Sequence, residues 1–363
     1  MTRVWRDYDF FLIGCVMVLT GFSLTMVASI TVSEYLSRHL INLSVGTIAM
    51  LLLTALDYHA LQAWARPLYI LGVVVLGLVM LLGSVSGGAQ SWLNLGIRTF
   101  QPSEPAKLLI IIALAAYWAH FEHNGGAWKI QLGGLILAGI PIVFVFLQPD
   151  FGTAMVFVTI WATMAWTAGL RWWQIALLMS VALPVAVYGW TNVLDQEQQS
   201  RLLVFLDPIG IDPTLQNEAW DITKALEAVQ LGGVMGLGWN QGEISQGRYI
   251  QGIYTDYIFA ATSEELGFIG ASVLILFQCI LMWRALYIAQ SARDLFGRMI
   301  AVGVTAFIFC HVLVHIGMNM SIMPITGIPL PFISYGGSFT LTTLAAIGLL
   351  ESVALRRRKI AFG

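Results

Sequence analysis

Charge is scarce in this chain. Asp, Glu, Lys and Arg together make up 10% of its 363 residues, where a soluble domain carries roughly 25%. So few charges cannot keep a surface in water, and a soluble fold is excluded. Those present nearly cancel, to a formal net charge of -2. That balance excludes the strongly basic face that nucleic acid needs as a partner. Cysteine is scarcer still: Cys15, Cys279 and Cys310 sit in separate apolar runs. Their spacing excludes a zinc module and fits buried packing residues. A cleavable leader is not expected either. Arg3 and Arg6 precede a run long enough to span, and further spans follow.

Apolar residues fill the space that charge leaves, at 58% of the chain and a mean hydropathy of +0.79. A helix needs about 20 mostly apolar residues to cross the hydrocarbon. Ten runs qualify: 10-31, 40-56, 67-84, 105-120, 131-147, 152-168, 172-191, 256-284, 299-322 and 338-355. Each must be helical, because lipid offers the backbone no hydrogen-bond partner. The run at 256-284 exceeds one crossing and is expected to tilt or project into water. The fold class expected is therefore an all-α integral membrane bundle of ten transmembrane helices. Residues 1-363 form one polytopic domain, with a large extracytoplasmic loop at 192-255 between the seventh and eighth helices.

Ten crossings put both termini on one side. Twelve Lys and Arg fall on that side, Arg284, Arg293, Arg298, Arg356, Arg357, Arg358 and Lys359 among them. Six fall opposite: Arg38, Arg98, Lys107, Arg201, Lys224 and Arg248. Basic loops stay inside, so both termini are expected in the cytoplasm. The Arg356-Lys359 run then reads as a stop near anionic lipid. The long loop carries Trp220 and glycine-rich turns at Gly232-Gly233 and Gly236-Leu237-Gly238. These resemble half of a dinucleotide fingerprint, but no strand precedes them, so they read as flexible backbone.

Four clusters carry chemistry. In Gln101-Pro102-Ser103-Glu104-Pro105-Ala106-Lys107, Ser103 is a helix cap by pattern. Glu104 and Lys107 are three apart and can pair on one face. Ionisable groups at an apolar edge usually face a cavity. In Gln148-Pro149-Asp150-Phe151-Gly152, Asp150 fits a cap and a site equally well. In Thr255-Asp256, followed by Glu264-Glu265, Asp256 opens the eighth span. An acid in a water-filled cavity with apolar walls can keep a raised pKa and act as a base. Glu264 lies about two turns further on the same face, which points to a polar cavity inside the bundle. The fourth cluster runs from Pro324 through Gly327, Pro329, Pro331, Ser334, Gly336 and Gly337 to Ser338. No regular helix holds that many breakers. Irregular backbone at membrane depth must be buried or line a cavity, so this segment is expected to wall the site. His311 and His315 are four apart. Without a third ligand they read as hydrogen-bonded packing residues before a metal pair.

Together these clusters resemble the SEDS family (shape, elongation, division and sporulation), the RodA and FtsW group. The likeness covers nearly the whole chain, and the pair Asp207-Pro208 and Asp212-Pro213 with Ser245-Gln246-Gly247-Arg248 looks closer to RodA than to FtsW. The chain also departs from the pattern. A Leu-Pro pair and a His that usually precede Thr-Asp are Ile250-Gln251 and Tyr254. A Gln-Ser pair of the long loop is Lys224-Ala225, an Asn of the ninth span is His315, and Ser91 replaces an Arg beside Trp92.

The resemblance implies a peptidoglycan glycosyltransferase in the bacterial cytoplasmic membrane. It would polymerise lipid II at the outer face, with a class B penicillin-binding protein as partner and Asp256 as the essential carboxylate. Pyrophosphate leaves readily, so the site must supply a base for the acceptor hydroxyl and positive charge for the phosphates. Candidates for the charge are Arg201 first, because it follows the seventh span at the membrane surface, then Lys107, Arg248 or a divalent cation such as Mg or Mn. Glu104, Asp150, Glu264, Ser334 and Ser338 are expected around the cavity. Two other classes fit ten spans: a flippase for the lipid-linked precursor, and a scaffold without activity of its own.

Overall fold

In a computed structural model that describes residues 8-86, 89-94, 99-192, 199-200, 203-211 and 217-357, the apolar runs are helices. They are α1 (Phe10–Ile30), α2 (Ser33–Ala55), α3 (Tyr58–Leu82), α4 (Ser103–His120), α5 (Trp128–Leu147), α6 (Phe151–Thr167) and α7 (Trp172–Asn192). Then come α8 (Asn217–Gly232) in the long loop, α9 (Ile258–Ser291), α10 (Leu295–Asn319) and α11 (Gly337–Leu355). Eight of these are long and apolar enough to cross a bilayer. The other two spans, α4 and α6, are shorter, and both pack on α10. Helices α10 and α11 form the buried centre, while α7 stands at the rim with its apolar side chains exposed. Counting apolar residues started α2 and α3 too late. Their first turns are polar: Arg38 pairs with Glu34 in α2, and the Asp57 carboxylate caps α3 through His59 N.

The helical class needs one addition. Between α3 and α4 the chain forms a small antiparallel sheet of β1 (Ser84–Ser86), β2 (Ala89–Asn94) and β3 (Thr99–Phe100), in that order. Its register pairs Ser84 with Trp92 and Leu93 with Phe100. The strands are too short for their alternation to stand out in the sequence. Pairing them satisfies backbone groups that leave the end of α3 without helical partners.

The long α9 is two helices joined at a break. Gly267 has φ 67 and ψ -168, which no helix accommodates. The glycine-rich turns of the loop fill the gap. Phe268 N donates to Gly233 O (2.9 Å) and Ile269 N to Val234 O (3.3 Å), while Leu237 N and Gly238 N donate to Glu264 O and Glu265 O (2.9 and 3.0 Å). A Cβ on Gly236 would lie 2.2 Å from Glu265 O, so glycine is required for that approach. These glycines are therefore a fixed insert, which corrects the flexible reading. The break also explains why 256-284 exceeds one crossing: the buried turns before Gly267 belong to the bundle interior.

The molecule has two polar ends. At one, Asp9 takes Arg284 (2.8 Å) and Arg357 (3.3 Å), Asp9 N donates to Glu351 (2.6 Å), and Arg356 reaches Asp57 (3.3 Å). Arg356 and Arg357 are thus bound to the helix bundle rather than left for lipid headgroups. Arg358 and Lys359 lie outside the described residues. The other end gathers the four sequence clusters.

Candidate active site

Asp256 sits in the tight turn before α9, not on the helix itself. Its own N-H donates to Gly252 O (2.9 Å), and the Thr255 hydroxyl does the same (3.0 Å). Neither side chain caps α9. That work falls to Asn319, at the end of α10 and fully buried. Asn319 Oδ1 accepts from Ala260 N (3.0 Å), and its Nδ2 donates to Asp256 O (3.0 Å) and His315 O (2.8 Å). The helix start is satisfied from a neighbouring element, so the Asp256 carboxylate is not consumed by the fold. Two glycines in left-handed conformations flank it. A Cβ on Gly252 (φ 68) would lie 3.7 Å from Asp256 Oδ2, and one on Gly327 (φ 63) 3.6 Å. The half-buried carboxyl is pushed up to about 7. Burial is the main cause, Asp221 adds to it, and the Thr255 hydroxyl opposes it.

The irregular segment before α11 forms the facing wall, as its breakers require. Ser334 donates to Thr255 O (2.6 Å) and accepts from Leu330 N (2.8 Å), and Tyr335 N donates to Tyr254 O (2.9 Å). Two histidines of α10 hold the segment from behind. His311 Nδ1 bonds Pro329 O (3.0 Å) and His315 Nδ1 bonds Ile328 O (2.9 Å). A carbonyl only accepts, so both rings carry their proton on Nδ1. His311 Nε2 is then an acceptor, and it takes Lys107 Nζ at 3.1 Å. The pair is a structural clamp.

Lys107 pairs with Glu104 at 2.7 Å, as the spacing predicts, and is 0% exposed among Phe307, Phe339 and His311. This corrects the expectation that Lys107 could hold pyrophosphate: its charge is spent and unreachable. Ser103 is the first helical residue rather than a cap, and its Oγ has no hydrogen-bond partner. Asp150 is a cap that also takes a second contact. Oδ1 accepts from Thr153 N (3.0 Å) to cap α6, and Oδ2 accepts from Gln101 Nε2 (3.3 Å). Gln101 N donates to Ser338 Oγ (3.0 Å). Clusters distant in sequence thus brace one another around the turn of Asp256.

Glu264 has a different role from the one its spacing suggested. Its oxygens accept from Ile244 N (2.7 Å) and Ser245 N (2.9 Å), so it holds the loop. Glu265 takes Ser29 Oγ (2.6 Å), Gln246 Nε2 (2.9 Å) and Asn240 N (3.1 Å). Both buried acids are loop anchors. Arg248 is exposed at the mouth of a cavity of about 220 Å³. Arg201 lies outside the described residues. Among the described residues no three His, Cys, Asp or Glu side chains gather as metal ligands. Asn319 is the site residue that the sequence reading missed. Its signal was an amide at the end of an apolar span, where a polar group usually has a buried partner.

Comparison with known proteins bears on this arrangement. The model of the FtsW, RodA and SpoVE family of cell cycle proteins matches residues 4–359. The chain belongs to that family. Peptidoglycan glycosyltransferase MrdB of Escherichia coli (strain K12) is 32% identical over 326 residues, covering 90% of this chain and 87% of the relative. Stage V sporulation protein E of Bacillus subtilis (strain 168) is 33% identical over 371 residues, covering 98% and 99%. Among solved structures, a chain of a peptidoglycan synthase complex, described as coordinating polymerization and crosslinking, superposes with a TM-score of 0.82. It is 28% identical, over 96% of this chain and 97% of that one. The rod shape determining protein RodA of Thermus thermophilus gives 0.73 at 26% identity, over 97% and 98%.

Proposed function

We propose that this chain is a peptidoglycan glycosyltransferase that polymerises lipid II by inverting displacement, with Asp256 as general base. The observation that carries this is a carboxylate that the fold does not use as a helix cap. Asn319 caps α9, left-handed Gly252 and Gly327 flank Asp256, and burial raises its pKa to about 7. A base works best with a pKa near the operating pH. The acceptor sugar's C4 hydroxyl gives its proton to Asp256 as it attacks C1 of the donor. The donor's pyrophosphate departs without needing an acid. One carboxylate suffices, unlike the pair used by glycoside hydrolases. Glu104, Lys107, Asp150, Ser334 and Ser338 position the walls and stay out of proton transfer. Mg or Mn carried on the substrate's own phosphates is compatible with this site, and no step depends on it.

The basic residues near the termini favour a cytoplasmic location for that end. The end with Asp256 then faces outward, where lipid II is polymerised. A class B penicillin-binding protein is the partner, by analogy with the synthase complex that this chain resembles. Likeness to RodA and MrdB favours a role in cell elongation and shape.

The test is purified chain with lipid II and partner, the partner's transpeptidase blocked, and products resolved on a gel. Wild type should give glycan strands, and Asp256→Asn should fall by at least ~100-fold. Transport of labelled lipid II without polymer would point to a flippase. Undiminished polymer from Asp256→Asn would remove the general-base role.

A further inference from the structure

The cavity beside the turn of Asp256 lies between the α1–α2 link and residues 248-254. Its volume of about 220 Å³ is below the ~300 Å³ typical of a whole drug-sized ligand. It has room for a diphosphate or a single sugar ring rather than a complete lipid-linked substrate. Ile250 and Ile253 line it, with Thr31, Tyr35, Tyr254 and Arg248. Tyr35 and Tyr254 meet at 5.1 Å between ring centroids with their planes tilted by 49°, and Tyr335 closes the cluster at 5.5 and 5.6 Å.

The charge in this cavity is the telling part. Of the other described cations expected on this end, Arg38, Lys107 and Lys224 each pair with a carboxylate. Among the described residues no carboxylate pairs with Arg248. Its backbone is left-handed at φ 54, where it ends the short helix Glu243–Gly247, a conformation that Asn or Gly tolerates more easily. The guanidinium presents a planar fork that matches phosphate oxygens.

We infer that Arg248 and the Tyr35–Tyr254 pair form a subsite for the diphosphate–sugar junction of the lipid-linked substrate. The guanidinium binds the diphosphate, and the tyrosine faces pack on the adjoining sugar ring. Arg248 is then a binding residue, placed eight positions before the base. Charge on the departing phosphates is stabilised there, a role that buried Lys107 cannot fill. The assignment rests on the proposed glycosyltransferase reading and sharpens it.

The test separates the two. Full-length Asp256→Asn protein in phosphatidylcholine nanodiscs is titrated with a fluorescent polyprenyl diphosphate, so that binding is read without turnover. Adding Arg248→Asn should weaken binding at least tenfold, since a charge-assisted hydrogen bond contributes about 1.5–3 kcal/mol. Asn tolerates the left-handed backbone, so the loop should survive. Arg248→Lys should recover part of the loss. Tyr35→Ala should weaken a sugar-bearing diphosphate while leaving the bare one unchanged. Binding unaltered by Arg248→Asn would overturn the subsite. So would loss of the Arg248 effect in phosphatidylglycerol nanodiscs, which would assign the cavity to a phospholipid headgroup. If wild type makes no polymer but diphosphate binding still depends on Arg248, the glycosyltransferase reading falls and the subsite stands.

Discussion

Asn319 and Asp256 divide between them what one residue does at most helix starts. An acid just before a helix usually caps it by accepting from the first free N-H groups. Here the amide of α10 does so, and the acid keeps its lone pairs. Asn319→Leu should therefore reduce polymerisation by about 100-fold, the scale on which a 1 Å misplacement acts. The carboxylate would still be present but out of register, and KM for lipid II should change little, which steady-state kinetics would check. The buried Glu104–Lys107 pair makes the opposite case, of charge spent on structure. Lys107→Met alone strands Glu104 and should cost about 3–5 kcal/mol. The double variant Glu104→Gln with Lys107→Met should recover most of that. Thermal melts in detergent would show it. A double variant no more stable than the single would refute the pairing account.

At the scale of elements, the break in α9 is what joins the long loop to the site. The insert of residues 233-238 takes the hydrogen bonds that Gly267 releases, and Glu264 and Glu265 fasten the next turn of the loop. A Cβ at Gly267 would lie 2.3 Å from Gly236 N. Gly267→Ala should expel the insert, which faster hydrogen exchange across 233-247 would reveal, together with a lower melting midpoint. The loop's glycines were visible in the sequence, but their purpose was not. Each half of the fit makes sense only beside the other. Glu264 misled for a related reason: helical spacing gives the face of a carboxylate but not the backbone that arrives to bond it. Asp150, Ser334 and the Glu104–Lys107 pair were legible because their signals are local, a cap, a breaker run and an i,i+3 pair. Asn319 was not, since its partners lie about sixty residues earlier at Asp256 and Ala260.

For the whole molecule, hydropathy revealed the apolar helices, eight of them long and apolar enough to cross a bilayer among the described residues, because lipid leaves the backbone no alternative to helix. It missed the small sheet and the polar first turns, where water and paired strands offer other solutions. The two polar ends differ in purpose. One ties the buried acids Asp9 and Glu351 to partly buried Arg284 and Arg357, and the other surrounds a carboxylate that the fold does not use as a cap. That contrast turns on the protonation of Asp256, raised chiefly by burial to about 7. A general base must be deprotonated to act, so activity should rise with pH. The decisive measurement is the pH dependence of kcat/KM for lipid II polymerisation by the wild-type chain with its partner's transpeptidase blocked. The account predicts a tenfold rise per pH unit on the acid side, levelling near pH 7, and a residual rate without that step in Asp256→Asn. A wild-type profile flat from pH 5 to 8, or the same step surviving in Asp256→Asn, would contradict it.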